Sequence, residues 1–138
     1  RFEVCSKDPL VILDGAHNPH AAAALASGIK KFLPEKRTLL CGMMADKDCA
    51  GVMSTLAPLF EQVITVPVQS PRAISPAELA ALAAPYCKSV FTAENAAQAL
   101  DAALAALKPG EALVVAGSLY LASELRPQLM RFKGKSEN

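Results

Sequence analysis

The sequence predicts an α/β domain built on a mostly parallel sheet. Two observations carry that expectation. Apolar runs of strand length recur along the chain, among them Leu10-Val11-Ile12-Leu13, Thr38-Leu39-Leu40-Cys41 and Ala112-Leu113-Val114-Val115-Ala116. Between them lie helical stretches of about 10–15 residues, the spacing of crossover units. Of the 138 residues, 52% are hydrophobic and 20% charged, so one domain with a well-filled core is expected rather than disorder.

Phe2-Glu3-Val4-Cys5 alternates and reads as a short strand. Ser6-Lys7-Asp8-Pro9 reads as a turn, and Leu10–Leu13 as the returning strand of an antiparallel hairpin. Asn18 suits a helix N-cap and Pro19 the first helical position, where no N–H is needed. That helix is expected to reach Phe32 and stop before Pro34. Thr38–Cys41 is a buried-type strand ending at Gly42. A helix capped by Asp46 or Asp48 then runs to about Phe60, and Val63–Val66 is the next strand. Ser75-Pro76-Ala77-Glu78 has the pattern of a capping box and opens a helix to about Tyr86. Ser89–Phe91 is a short strand, and Glu94–Leu107 an Ala-rich helix closed by Lys108-Pro109-Gly110. Ala112–Ala116 is a fully apolar strand. Gly117-Ser118 leads into a last helix to about Phe132, followed by a polar, frayed tail. The resulting order, β-β-α-β-α-β-α-β-α-β-α, describes a Rossmann-like three-layer domain with an antiparallel edge strand.

Lys and Arg number 14 against 13 Asp and Glu, a formal net charge of +1. That balance supplies no field for nucleic acid or a membrane surface, and no apolar stretch approaches a membrane span. Cys5, Cys41, Cys49 and Cys87 match no metal spacing; Cys5, Cys41 and Cys87 lie in or beside apolar segments and read as buried thiols of a cytosolic protein. Arg1 is not Met, so the chain reads as a piece of a longer polypeptide or a processed product.

In an open α/β sheet, ligands bind beyond the carboxyl ends of the strands. Asp14 and His17 follow the Leu10–Leu13 strand. Asp14 could accept ribose hydroxyls, or it could cap a turn. His17 could meet an anionic substrate near a helix N-terminus, or be a surface turn residue. Ser118 could offer its hydroxyl and the helix N–H groups to a carboxylate or phosphate, or serve only as an N-cap. Lys47, in the loop after Cys41, could reach an anion or be solvated; Arg72 is similarly ambiguous. His17 and His20 are separated by Pro19 and lack a third ligand, so no metal site is expected. Neither a GxGxxG nor a GxxxxGK[ST] pattern is present, so a phosphate-gripping loop for ATP must lie elsewhere.

Asp14-Gly15-Ala16-His17-Asn18-Pro19 resembles the signature of folylpolyglutamate synthases and bifunctional dihydrofolate synthases, within the Mur ligase superfamily. Arg1-Phe2, the Gly42 to Lys47-Asp48 loop and Gly117-Ser118-Leu119-Tyr120-Leu121 are similar to three further segments of its C-terminal domain, in the same order. Met43-Met44-Ala45 departs by lacking the extra glycine or histidine of some members.

The resemblance implies an ATP-dependent ligase that adds L-glutamate to a folate carboxylate through an acyl phosphate. It implies that residues 1–138 are the C-terminal domain of a monomeric cytoplasmic enzyme. Its partner would be its own N-terminal ATPase domain, which holds most of the ATP and Mg2+. Arg1 and Asp14 would contact the nucleotide; His17 and Ser118 would place the glutamate, with Lys47 a further candidate. No catalytic residue is expected on this domain, and alone it should be inactive. The rival readings are another Mur-type amino-acid ligase and a freestanding domain for a small ligand.

Overall fold

The computed structural model describes residues 2–132. Arg1, with the nucleotide contact expected of it, and the expected frayed tail lie outside the described residues. The strands are β1 Glu3–Lys7, β2 Leu10–Leu13, β3 Arg37–Cys41, β4 Gln62–Thr65, β5 Val90–Thr92 and β6 Ala112–Ala116. The helices are α1 Pro19–Phe32, α2 Cys49–Leu56, α3 Pro76–Ala83, α4 Ala96–Ala106 and α5 Leu119–Arg131.

The sheet has the order β1-β2-β6-β3-β4-β5. Among the six strands of the described residues, β1 and β2 pair antiparallel and the other pairs are parallel, as expected. From β2 the chain steps to β3, β4 and β5 in one direction, then returns to insert β6 between β2 and β3. Right-handed crossovers require the outgoing helices on one face and the returning helix on the other. The core divides accordingly. Leu25 and Ile29 of α1, Val52 and Leu56 of α2 and Leu79 of α3 pack with Ile12, Leu39 and Val114. Leu100 and Leu104 of α4 and Leu121, Leu125 and Leu129 of α5 pack with Leu13, Leu40 and Val115. Alternate residues of β2, β3 and β6 thus feed opposite layers, the period-2 geometry of a strand buried on both sides.

Local capping fixes the helix starts. Asn18 Oδ1 accepts from Ala21 N at 2.8 Å, and Asp48 rather than Asp46 caps α2, accepting from Gly51 N at 2.9 Å. Ser75 Oγ accepts from Glu78 N at 3.1 Å and donates to the Glu78 carboxylate at 3.0 Å. Arg37 closes several chain ends at once. Its Nε donates to Leu59 O at 2.6 Å and its Nη1 to Pro34 O at 3.1 Å.

Several boundaries differ from those expected. β1 begins at Glu3 and runs through Lys7, so only Asp8 and Pro9 turn the hairpin. A bulge between Val4 and Ser6 leaves Cys5 half-buried rather than buried. Cys41, Cys49 and Cys87 are buried free thiols. α2 ends at Leu56 and tightens into a 3-10 turn, Ala57–Leu59, because Pro58 has no N–H to continue the α ladder. α3 stops at Ala83, followed by a turn, not at Tyr86.

Candidate functional site

β6 lies between β2 and β3, yet the helix that follows it packs on the opposite face from the helices after β2 and β3. The three outgoing loops therefore diverge around a crevice, the usual position for a ligand in such a sheet.

The loop after β2 is shaped by Asp14, which is only 6% exposed. Its N–H extends the ladder to Val115 O at 2.9 Å, and its Oδ1 accepts from Ala16 N at 2.8 Å. Three residues on, His17 Nδ1 lies 2.9 Å from Gly15 O. A carbonyl can only accept, so Nδ1 carries the proton. In the neutral ring Nε2 is then an acceptor left for a ligand.

The loop after β6 is set by Gly117, whose φ is +116°. A Cβ there would lie 2.5 Å from Gly42 O and 2.7 Å from Cys41 Sγ, so glycine lets the β6 and β3 ends close up. Ser118 is buried and caps α5, its Oγ accepting from Tyr120 N at 3.0 Å and Leu121 N at 3.4 Å. The cap reading of Ser118 holds, and both bonds leave its hydroxyl proton to donate.

The loop after β3 is braced from behind by the β4–α3 loop. Ala45 N donates to Arg72 O at 2.7 Å, Ile74 N to Met43 O at 3.0 Å, and Met44 bridges Ala73. Arg72 thus contributes backbone to this brace.

His17, Lys47 and Ser118 converge on one cavity of about 230 Å³, lined also by Met44, Gly117, Leu119 and Tyr120. Asp14 is not among the lining residues and stands beneath the loop. Leu119 and Tyr120 are 61% and 59% exposed and form an apolar lip; the sequence named them only within the Gly117–Leu121 segment, with no role at the site. The available signal was phase: α5 buries Leu121, Ala122, Leu125 and Leu129, and Leu119 and Tyr120 fall off that stripe. Met44 had no such signal, because its place depends on the bridge to Ala73.

Burial pushes the Cys41 thiol well above its ordinary range, and burial with Asp48 and Asp46 raises Cys49. Both are held as thiols and are poor nucleophiles. Among the described residues, no three of His, Cys, Asp and Glu gather as a metal site, and no helix is long and apolar enough to cross a membrane. A second cavity, of about 250 Å³, lies at the amino ends of the strands between Lys36, Glu61, Lys108 and Glu111, away from the switch point.

Residues 1–119 match the family described as Mur ligase, glutamate ligase domain. The chain belongs to this family. Among curated relatives, this Mur ligase domain is similar to the folylpolyglutamate synthase of Lacticaseibacillus casei, with 36% identity over 94% of the chain and 29% of that protein. It is also similar to the dihydrofolate synthase/folylpolyglutamate synthase of Escherichia coli K12, with 35% identity over 87% of the chain and 28% of that protein. Its fold matches E. coli FolC in complex with ADP at a TM-score of 0.84 and 32% identity, covering 94% of this chain and 31% of that one. It matches a folylpolyglutamate synthase from Thermotoga maritima at 0.81 and 33% identity, covering 99% and 32%. The Mur ligase domain therefore spans between 28% and 32% of the length of these relatives.

Proposed function

We propose that residues 1–138 are the C-terminal domain of an ATP-dependent ligase that adds L-glutamate to a folate, and that this domain supplies the glutamate site. The observation that carries this reading is the convergence of His17, Lys47 and Ser118 on one small cavity at the switch point. At about 230 Å³ it falls below the roughly 300–1,000 Å³ of pockets for larger ligands, which suits one amino acid better than a nucleotide or a pterin. The Lys47 ammonium and the α5 N-terminus take carboxylates, the Ser118 hydroxyl donates to one of them, and His17 Nε2 accepts an N–H of the incoming amine. Held this way, the amine approaches an activated folate carboxylate in a fixed orientation.

ATP supplies the phosphoryl group that turns the folate carboxylate into an acyl donor. The described residues fit only the margin of a nucleotide. Asp14 is buried at the crevice edge and accepts from Ala16 N, and the resemblance assigns it to the ribose. Arg1 is assigned to the phosphates by resemblance alone. Mg2+ and the triphosphate belong to a preceding ATPase domain. Glu3 pairs with Leu13, so β1 begins beside the end of β2 and the preceding chain would arrive at the cavity's end of the sheet. A domain attached there could close over the crevice and exclude water. The whole is proposed to act as a monomer in the cytoplasm.

The test is ATP turnover by the complete protein, with tetrahydrofolate and L-glutamate each omitted in turn. Turnover that needs both supports the ligase. Turnover that instead needs a nucleotide-sugar acceptor would reassign the chain to another Mur-type amino-acid ligase.

A further inference from the structure

Leu119 stands at the first helical position of α5, directly after the Ser118 cap. The packing of α5 does not require it, since Leu121, Ala122, Leu125 and Leu129 form the buried stripe and Leu119 is exposed. Its side chain instead reaches across to the loop after β2. A Cβ at Gly15 would lie 2.5 Å from Leu119 Cδ2 and 3.5 Å from Leu119 Cγ. Among the described residues, no other atom beyond the flanking positions comes within 4 Å of that point. Gly15 has no positive φ, so its backbone would accept alanine, and it is the leucine methyl that fills the space. That methyl is in van der Waals contact with the Gly15 backbone.

Gly15 is also the residue that holds the imidazole. His17 Nδ1 donates to Gly15 O at 2.9 Å, which leaves Nε2 as the acceptor of the neutral ring. Asp14 Oδ1 accepts from Ala16 N at 2.8 Å and so ties the loop on either side of Gly15. A glycine there is free to turn its peptide plane unless something covers it, and Leu119 covers one face. His17 and Leu119 both line the cavity of about 230 Å³. We propose that Leu119 is a positioning residue: seated on Gly15, it locks the carbonyl that sets the His17 tautomer, and so ties the His17 wall of the cavity to the α5 wall. Its kinetic consequence rests on the reading of this cavity as the glutamate site.

The experiment compares Leu119→Ala, Leu119→Met, Gly15→Ala and the double variant Gly15→Ala with Leu119→Ala in the complete protein. Heteronuclear NMR of isotope-labelled histidine, without ligands and at a pH where the rings are neutral, reads the tautomer; His17→Ala identifies the His17 signals. Leu119→Ala should turn a single Nδ1–H tautomer into a mixture. It should raise the KM for L-glutamate about fivefold, with kcat changed less than about twofold. Leu119 is exposed, so the variant should stay folded. Alanine at position 15 displaces the leucine methyl and should have the same two effects. The double variant should be no worse than either single one, because both remove one contact. Methionine still reaches Gly15 and should keep the unaltered tautomer and KM. A folded Leu119→Ala protein with an unchanged His17 tautomer would overturn the proposal; a raised KM in that case would make Leu119 a direct wall of the site. Additive losses in the double variant would overturn it too. If the unaltered protein shows no glutamate-dependent turnover, the ligase reading fails, and the tautomer comparison still decides the positioning claim.

Discussion

At Asp14 the carboxylate assigned to a nucleotide also accepts the Ala16 N–H, so deleting it and neutralising it have different consequences. In the complete protein, Asp14→Ala should lose both the nucleotide contact and the loop bond, the latter worth about 1 kcal/mol. Asp14→Asn keeps an acceptor for Ala16 and should raise the ATP requirement while retaining that loop bond. Equal ATP requirements in Asn and unaltered proteins would remove Asp14 from the nucleotide site. Glu111 gives a residue-level pH effect at the far end of the sheet. The Lys108 backbone N–H, donating at 2.9 Å, and then Lys36 hold its carboxyl below the ordinary value. A lowered folded-state pKa adds stability above the unfolded value and loses it as pH falls through the folded one. The melting-temperature gap between Glu111→Gln and the unaltered chain should therefore narrow below about pH 4. The position of His17, Lys47 and Ser118 beyond the strand ends was legible from sequence, because each follows a recognisable strand. The burial of Asp14 was not, because it depends on how the loop folds back onto its own amides.

Among the elements, Gly117 and Gly110 separate backbone conformation from crowding. Both have positive φ, +116° and +85°, but a Cβ at Gly110 meets nothing within 4 Å, whereas one at Gly117 meets Gly42 O and Cys41 Sγ. Gly110→Ala should cost about 1 kcal/mol from conformation alone. Gly117→Ala should cost at least about 3 kcal/mol, adding displacement of the β3 end to the same conformational strain. Chemical denaturation of both variants checks the difference, and equal losses would show that the close approach is not a constraint. Helix starts were readable because caps are local: Asn18, Asp48, Ser75 and Ser118 each bond an N–H within three residues. Ends were read less well. The 3-10 turn after Leu56 follows from Pro58, and the hairpin turn at Asp8–Pro9 from strand pairing through Lys7, neither of which hydrophobic periodicity encodes.

For the molecule as a whole, the alternation of strands and helices predicted the class, and the six-stranded sheet bears it out. The insertion of β6 between β2 and β3 was not readable, because β2, β3 and β6 each carry an apolar run and pattern alone does not rank neighbours. That insertion creates the crevice, bringing together residues from positions 17, 47 and 118 of the chain. In the proposed function this crevice binds the incoming amino acid while another domain holds most of the nucleotide. The most direct measurement is steady-state kinetics of His17→Ala in the complete protein, with L-glutamate and ATP varied separately. The KM for L-glutamate is expected to rise at least about tenfold and the KM for ATP to stay within about twofold of the unaltered protein. A KM for ATP that rises while that for L-glutamate stays unchanged would contradict that reading and make the cavity part of the nucleotide site.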